Sequence, residues 1–573
     1  MSNGISTAAD QDSDLPPYDL LYTLVDLYFT HIHPWCPFLH RRSVLDSLFG
    51  PSSLDNADRI LLHAILATTL RFCTDPRLTE HTREKYHSRS KQKVLLYGLE
   101  NSSVKALQAL VILALDILGS SNGPPGWNVL ALITRSVVQL GLAVETTSTT
   151  VNPLLPSIYT LRAMVLPEPK DFVEDESRRR LFWTVYLLDR YATISTAFDF
   201  ALDNKEIDRK LPCKDDLFAR NQHGETRWFS TTDQMNFAGG KSENLGAFSC
   251  YIEILGILSR VHHFLKKPVD ISALPDVEKW QREYRQLDGM LNNWKFSLPN
   301  EYSDLSRALD HSGIKDKLNS MCILLHTTYH TVTIRLHSSA AYPTTRSAIF
   351  TPSFSASTRC LSAASEISTL CSHIRSQNLT PHLGPPFAFS VWVAARLLLV
   401  HSSTISHNVD PAIHVLVATL GDLGVYWPVA SRYATLLQRV LDEFRESESE
   451  QSGSEQKVTP STVKILADMR RTAYDLDFLI SRQPRLPSSS SSSTAVKSRE
   501  TVKTPRAPAE SELEYLDVFD FFNLPRLPLV SEMAGEGAGV NGDAGVGDAG
   551  TGSEFNITNF MVDAEADWFM QSS

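Results

Sequence analysis

His31, His33 and His40 lie close together around Trp35 and Cys36. Imidazoles and a thiolate can hold zinc, but a tetrahedral site needs a complete donor set. No carboxylate and no second cysteine completes this one, so we read the group as packing at a helix end. His326 and His330 stand four apart, on one helix face. A zinc protease needs Glu directly after the first His to activate water. Thr327 occupies that place, and the match fails. The chain has no G-x-S-x-G elbow and no Walker loop. Gly421-Asp-Leu-Gly424 offers two glycines with no βαβ rhythm around them. Without a nucleophile and its base, no reaction can be named, and the expectation is a protein that is not an enzyme and holds no cofactor. Arg178–Arg180 is a basic cluster that could touch phosphate or serve as an address signal. Glu174, Asp175 and Glu176 precede it and offset its charge, so we read it as a solvated or ion-paired helix start. Arg485, Lys497, Arg499, Lys503 and Arg506 are spaced too loosely to make a strong address signal.

Elements must hold these residues, and composition bounds what those elements are. The chain has 573 residues, 42% hydrophobic and 21% charged, which suits a folded protein with a sizeable core. Its net charge is −11. From Glu510 to Ser573, 13 acidic residues stand against one arginine, a net of −12. The excess negative charge therefore sits in the tail, which cannot bind nucleic acid by neutralising phosphates but can meet a basic or hydrophobic protein. Seven cysteines are scattered without any C-x-x-C, which excludes common zinc-finger spacings and suits reduced core thiols. Met1–Pro16 has neither the basic start nor the apolar run of a secretory signal. The most apolar segment, Val104–Leu118, contains Lys105 and Asp116, and its uncharged run is about half a bilayer span. It reads as a core helix, and no membrane is expected.

Helical periodicity runs from Tyr18 to about Arg482. Leu20, Leu21, Leu24, Leu27 and Tyr28 form one stripe that Pro34 ends. Asp58–Phe72 is apolar on most faces and so internal. Glu80–Gly98, Val104–Leu118 and Trp127–Leu142 follow, with a turn at Pro124–Gly126. Glu176–Ile194 is the strongest helix. Further helices fall near 246–266, 275–295, 315–337, 355–376, 386–405 and 411–445. Alternating strand patterns are rare, so the class is all-α, a large multi-helix domain. Glu446–Pro460 reads as a polar loop, and Ser461 caps a further helix, Val463–Ser481. We divide the chain into a disordered start (1–17), the helical domain (18–482), a Ser/Pro-rich linker (483–510) and an acidic-aromatic tail (511–573) expected to be disordered.

The tail mixes acids with aromatics in Glu512–Leu527 and Glu554–Met570. Phe519, Phe522, Phe560, Trp568 and Phe569 would stay solvated among acids until a partner offers a groove, the composition of an activation segment. Docking of Tyr515–Leu527 back onto the helical domain as a lid is the competing reading of the first stretch.

One segment is more specific. ESRRRLFWTVYLLDRYATISTAFDFALDNKEIDRKLPC, Glu176–Cys213, resembles the core of the fungal-specific transcription factor domain, the middle homology region of zinc-cluster regulators. The residues that carry the likeness are Arg179, Arg180, Leu181, Phe182, Trp183, Tyr186, Asp189, Arg190, Leu202, Asp203, Ile207, Asp208, Leu211 and Pro212. Tyr28–Leu45, Gly123–Leu142 with its closing Leu-Gly-Leu, and Trp294–Pro299 are similar to flanking parts of that domain. The likeness covers roughly 18–480. Where members often have Gly-Arg-Pro, this chain has Ala197, Phe198 and Asp199. Read physically, Phe182, Trp183 and Tyr186 form an aromatic core stripe, and Asp189 and Arg190 form buried or interhelical ion pairs.

The resemblance implies a regulator of polymerase II transcription in the nucleus, meeting the transcription machinery or coactivators through its tail and sensing a small-molecule inducer through its helices. It also implies a six-cysteine zinc cluster that reads DNA. Only Cys36 lies in the first 72 residues. The expectation is therefore that zinc and direct DNA contact belong to a module upstream of this chain, or that the chain reaches DNA through partners. Two alternatives stay open: an adaptor or inhibitor that dimerises with complete zinc-cluster factors, and an all-α enzyme of unread reaction. No sustained heptads mark a coiled coil.

Overall fold

The computed structural model describes residues 14–121, 123–148, 166–195, 199–229, 242–303, 320–343, 348–406 and 408–450, with Leu476 and Ile480. Pro16 and Pro17 precede α1 (Tyr18–His31), which buries Leu20, Leu21, Leu24 and Tyr28 on one face. The chain turns there as the Trp35 indole donates to the His31 carbonyl at 2.9 Å. A short α2 (Arg41–Phe49), not anticipated from periodicity, is capped by His40. Asp55 caps α3 (Asn56–Thr69), which is buried on nearly every face. It packs against α1, α4 (Glu80–Glu100) and α5 (Val104–Ser120). Helix α6 (Pro124–Gln139) starts at Pro124, a residue that suits the first helical position because its missing N–H would be unpaired anyway. The turn expected at Pro124–Gly126 is thus the first turn of a helix. Gly141 follows at φ 72°, its N–H bonded to the Val138 carbonyl and that of Leu142 to Val137. That left-handed cap explains the glycine of Leu-Gly-Leu.

Helix α7 (Phe172–Ile194) lies between two groups of helices, touching α5 and α6 on one side and α9 (Ala247–Lys266) on the other. A short α8 (Asp215–Ala219) precedes α9. Then come α10 (Leu274–Ser297), α11 (Asn300–Ser303), α12 (Ser320–Ala341), α13 (Phe354–Ser376) and α14 (Pro385–His401). Pro385–Thr404 is long and apolar enough to cross a membrane, but 89% of that stretch is buried inside the domain, among α12, α13 and the last helices. The single helix expected over 411–445 is two, α15 (Ala412–Gly424) and α16 (Pro428–Glu450). Pro428 disfavours helix in the residue before it, and the Trp427 indole fixes the corner by donating to the Leu383 carbonyl at 2.9 Å. Helix α16 also takes in Glu446–Glu450, so the polar loop begins later than its composition suggested. It packs on α5 and joins the two groups. Leu476 and Ile480 are helical and fully buried. The rest of Val463–Ser481, and the linker and tail, lie outside the described residues.

The described residues are all-α: they form no strand, only three isolated bridges. All belong to one compact unit.

Candidate functional site

The residues singled out in Glu176–Cys213 come together along α7. Asp171 caps the helix by accepting from the Glu174 N–H at 2.8 Å. Leu181, Phe182, Trp183 and Tyr186 are wholly buried. The Trp183 ring meets Phe182 at 4.9 Å and Tyr186 at 5.3 Å, both edge to face. The aromatic stripe is core.

The charges are core as well. Arg180 has no exposed surface. Its guanidinium donates to Glu176 at 2.9 Å, Asp215 at 2.6 Å, the Pro37 carbonyl at 2.8 Å and the Cys213 carbonyl at 2.7 Å. Arg179 pairs with Glu176 at 2.6 Å, Asp175 at 2.7 Å and Glu145. Arg178 donates to Glu174 at 2.5 Å and to the Pro167 carbonyl at 2.7 Å. The Arg178–Arg180 cluster is therefore ion-paired but not solvated, and its guanidiniums are already engaged inside the fold. Burial pushes Arg179 and Arg180 down, but Glu145 and Glu176 at the first, and Asp215 and Glu176 at the second, outweigh it and raise both. Burial likewise pushes Glu145 up, and Arg209 and Arg179 hold it below the ordinary carboxylate range.

At the other end of α7, Asp189 accepts from the Ala201 and Leu202 N–H groups at 3.1 Å each and pairs with Arg190. Arg190 donates to the Leu202 carbonyl at 2.8 Å, Asn204 at 2.6 Å and Ser259 at 3.1 Å, and lies 3.9 Å over the Tyr186 ring. Burial pushes the Asp189 carboxyl up against the pull of Arg190 and those N–H groups.

One purpose unites these contacts. The segment 201–213 has almost no helix of its own, so its backbone groups need partners. Asp189 and Arg190 hold Ala201 and Leu202. The Trp183 indole holds the Lys210 carbonyl at 2.9 Å. Glu176 takes the Cys213 N–H at 2.9 Å while Arg180 takes its carbonyl. Leu211 is wholly buried, and Pro212, which has no N–H to satisfy, offers its carbonyl to Ser249 at 2.6 Å. Signature residues on α7 thus zip a strap onto it. Sequence reasoning missed Glu145, Arg209 and Asp215. Glu145 lies 34 positions from its partner Arg179, a distance at which no local pattern signals a pair.

The other candidate residues do not converge. His31 stacks on Phe72 at 4.6 Å, His40 caps α2, and burial pushes His33 down to about 4. His326 lies 3.4 Å from the Lys295 ammonium, a neighbour that repels a metal ion. Burial, with His326 and Lys295, pushes His330 down to about 3. Among the described residues no cluster of three or more His, Cys, Asp or Glu could hold a metal. Gly421 and Gly424 lie on α15. Asp199 pairs with Lys266 at 2.5 Å, while Ala197 and Phe198 lie outside the described residues, as do the tail residues Phe519, Phe522, Phe560, Trp568 and Phe569.

Residues 25–296, which contain α7 and its strap, match the model of the fungal specific transcription factor domain. Relatives are similar at low identity. A transcriptional regulatory protein of Schizosaccharomyces pombe is 24% identical over 56% of this chain and 32% of its own length. A second such protein of that yeast is 21% identical over 74% of this chain and 63% of its own length. The notoamide biosynthesis cluster transcriptional coactivator of Aspergillus versicolor is 22% identical over 48% of each chain. The chain thus spans from about a third to under two thirds of the length of these relatives. Within the matched residues, the buried charges and aromatics of α7 hold the segment 201–213 and one another in place.

Proposed function

We propose that this chain regulates polymerase II transcription in the nucleus of a fungus. The helical domain is the regulatory platform, and the acidic-aromatic tail recruits coactivators. The observation that carries this reading is the match of residues 25–296 to a transcription factor domain, together with relatives named as transcriptional regulators. The geometry of α7 is consistent with a platform: its charged side chains pair with one another and hold the backbone of 201–213. The pathway is set by partners and target promoters.

A second reading has its own support, since one relative is named a transcriptional coactivator. In that reading the chain reaches DNA through a partner, as a homodimer or paired with complete zinc-cluster factors. One experiment addresses both. The full chain, and a version ending at Arg482, are fused to a neutral DNA-binding module upstream of a reporter. Activation by the full chain and silence of the shorter one support a recruiting tail. A silent full-length fusion overturns it. Gel-shift and size-exclusion measurements on the unfused chain then separate direct from borrowed DNA contact.

A further inference from the structure

His31 closes α1, and His382 closes the single helical turn Thr380–His382 that lies between α13 and α14. Each holds the other's backbone. The His31 ring donates from Nδ1 to the Pro381 carbonyl at 3.1 Å, and the His382 ring donates from Nδ1 to the Thr30 carbonyl at 3.0 Å. A carbonyl can only accept, so both Nδ1 atoms carry a proton. Thr30 sits in the last turn of α1, where backbone carbonyls have no partner within the helix. His382 thus caps α1 from a distant part of the chain. The two rings stack, their centroids 5.0 Å apart and their planes 20° from parallel. Phe72 stacks on His31 at 4.6 Å, and Tyr426 on Phe72 at 5.3 Å. Both imidazoles are half-buried, so protons reach them from water.

Most charges on the neighbouring elements are engaged elsewhere. Asp26 of α1 favours the charged form of His31, while itself pairing with Arg41. From α3, Asp58, Arg59 and His63 are taken by Lys105, Asp14 and Ser90. From the turn Leu70–Phe72, Arg71 faces Asp116. From α15, which packs on the turn of His382, Asp422 pairs with Arg375 and His414 meets Arg445. His33, two residues on, faces Asp215 and Arg180 instead. Burial, and then His382, push His31 below its ordinary value, against the Pro381 carbonyl and Asp26.

We propose that His31 and His382 form an acid-sensitive clasp between α1 and the turn before α14, shut with one added proton or none and opened when both rings are charged. One imidazolium is tolerated, because it keeps both Nδ1–H donors and the carbonyl end of α1 favours a cation. A second sets two like charges face to face in a half-buried stack. In the open state both rings take protons near the ordinary histidine value of about 6.5, whereas the closed pair resists the second. The clasp therefore holds above about pH 6.5 and weakens as pH falls. With the second proton fully resisted, the opening constant rises roughly sevenfold from pH 6 to pH 5. The clasp does not rest on the reading that the chain regulates transcription.

The test is hydrogen exchange on the full chain from pH 7 to pH 5, corrected for the pH dependence of the intrinsic rate. The amides of His382 and Leu383, bonded to the Leu379 and Thr380 carbonyls, report the clasp, and those of α5 report global opening. In wild type, protection at His382 and Leu383 falls several-fold between pH 6 and pH 5 while α5 is unchanged. His31→Gln and His382→Gln each keep a side-chain N–H for the carbonyl and leave one imidazole, so the fall shrinks below about twofold. His63→Gln, which removes a different acid-sensitive histidine, leaves it intact. A flat wild-type profile overturns the proposal, as does an equal fall in both glutamine variants, its loss in His63→Gln, or a fall shared by α5. A turn already open at pH 7 in both variants also overturns it, because the donors alone would then not hold the clasp shut.

Discussion

Replacing Glu176 with glutamine tests whether the α7 charges are a fastener. The Glu176 carboxylate is wholly buried and receives Arg179 at 2.6 Å, Arg180 at 2.9 Å and the Cys213 N–H at 2.9 Å. Glutamine keeps the shape, loses the charge and turns an NH2 group toward a guanidinium. Arg179 keeps Asp175 and Glu145, and Arg180 keeps Asp215, but the carboxylate they share is gone. Removing one partner of a buried pair costs about 3–5 kcal/mol. At about 2 °C per kcal/mol for a large domain, the melting temperature falls by about 6–10 °C. Asp175→Asn is the control: its side chain is 27% exposed, and its loss costs about 1 kcal/mol or less. Calorimetry on the full chain measures both. Hydrogen exchange adds a local readout, because the acceptor of the Cys213 amide weakens from a carboxylate to an amide oxygen while the Ala201 and Leu202 amides, held by Asp189, keep theirs. Glu176→Gln melting within about 2 °C of wild type, or speeding exchange at Ala201 as much as at Cys213, would refute the fastener.

Three further outcomes follow. Trp183→Phe keeps most of the ring contact but loses the bond to the Lys210 carbonyl, and costs about 1–2 kcal/mol by denaturant unfolding, against about 3–5 for Trp183→Ala. Burial, only partly offset by Asp14, pushes the wholly buried His63 down to about 4 from an ordinary 6.5. A histidine depressed in the folded state contributes stability above pH 6.5 and loses it as pH falls toward 4. His63→Gln therefore flattens the melting profile over that window by up to about 3 kcal/mol. All seven thiols are free and buried, so native chain reacts with none of an added alkylating reagent on the timescale on which denatured chain reacts with seven.

Much of the architecture was readable because its signals are local. The stripe Leu20 to Tyr28 and the apolar faces of α3 and α5 each depend on residues within a few turns. The aromatic stripe of α7 was readable for the same reason. Of the solvated or ion-paired alternatives for Arg178–Arg180 the structure shows ion pairing, and the burial that goes with it was not legible because it depends on Glu145, Pro37, Cys213 and Asp215, which the fold brings in from elsewhere. Three small helices, α2, α8 and α11, are too short for periodicity to reveal. The corner at Val425–Trp427 had a visible cause in Pro428, but apolar periodicity on both sides masked it.

The measurement closest to the central claim is promoter occupancy in the living fungus, read by cross-linking the chain to chromatin and compared with transcript changes when its gene is deleted. The account predicts that the chain sits at promoters, directly or through a partner, and that transcripts from those promoters change on deletion. A chain absent from chromatin, with no transcripts shifted by its loss, would contradict it.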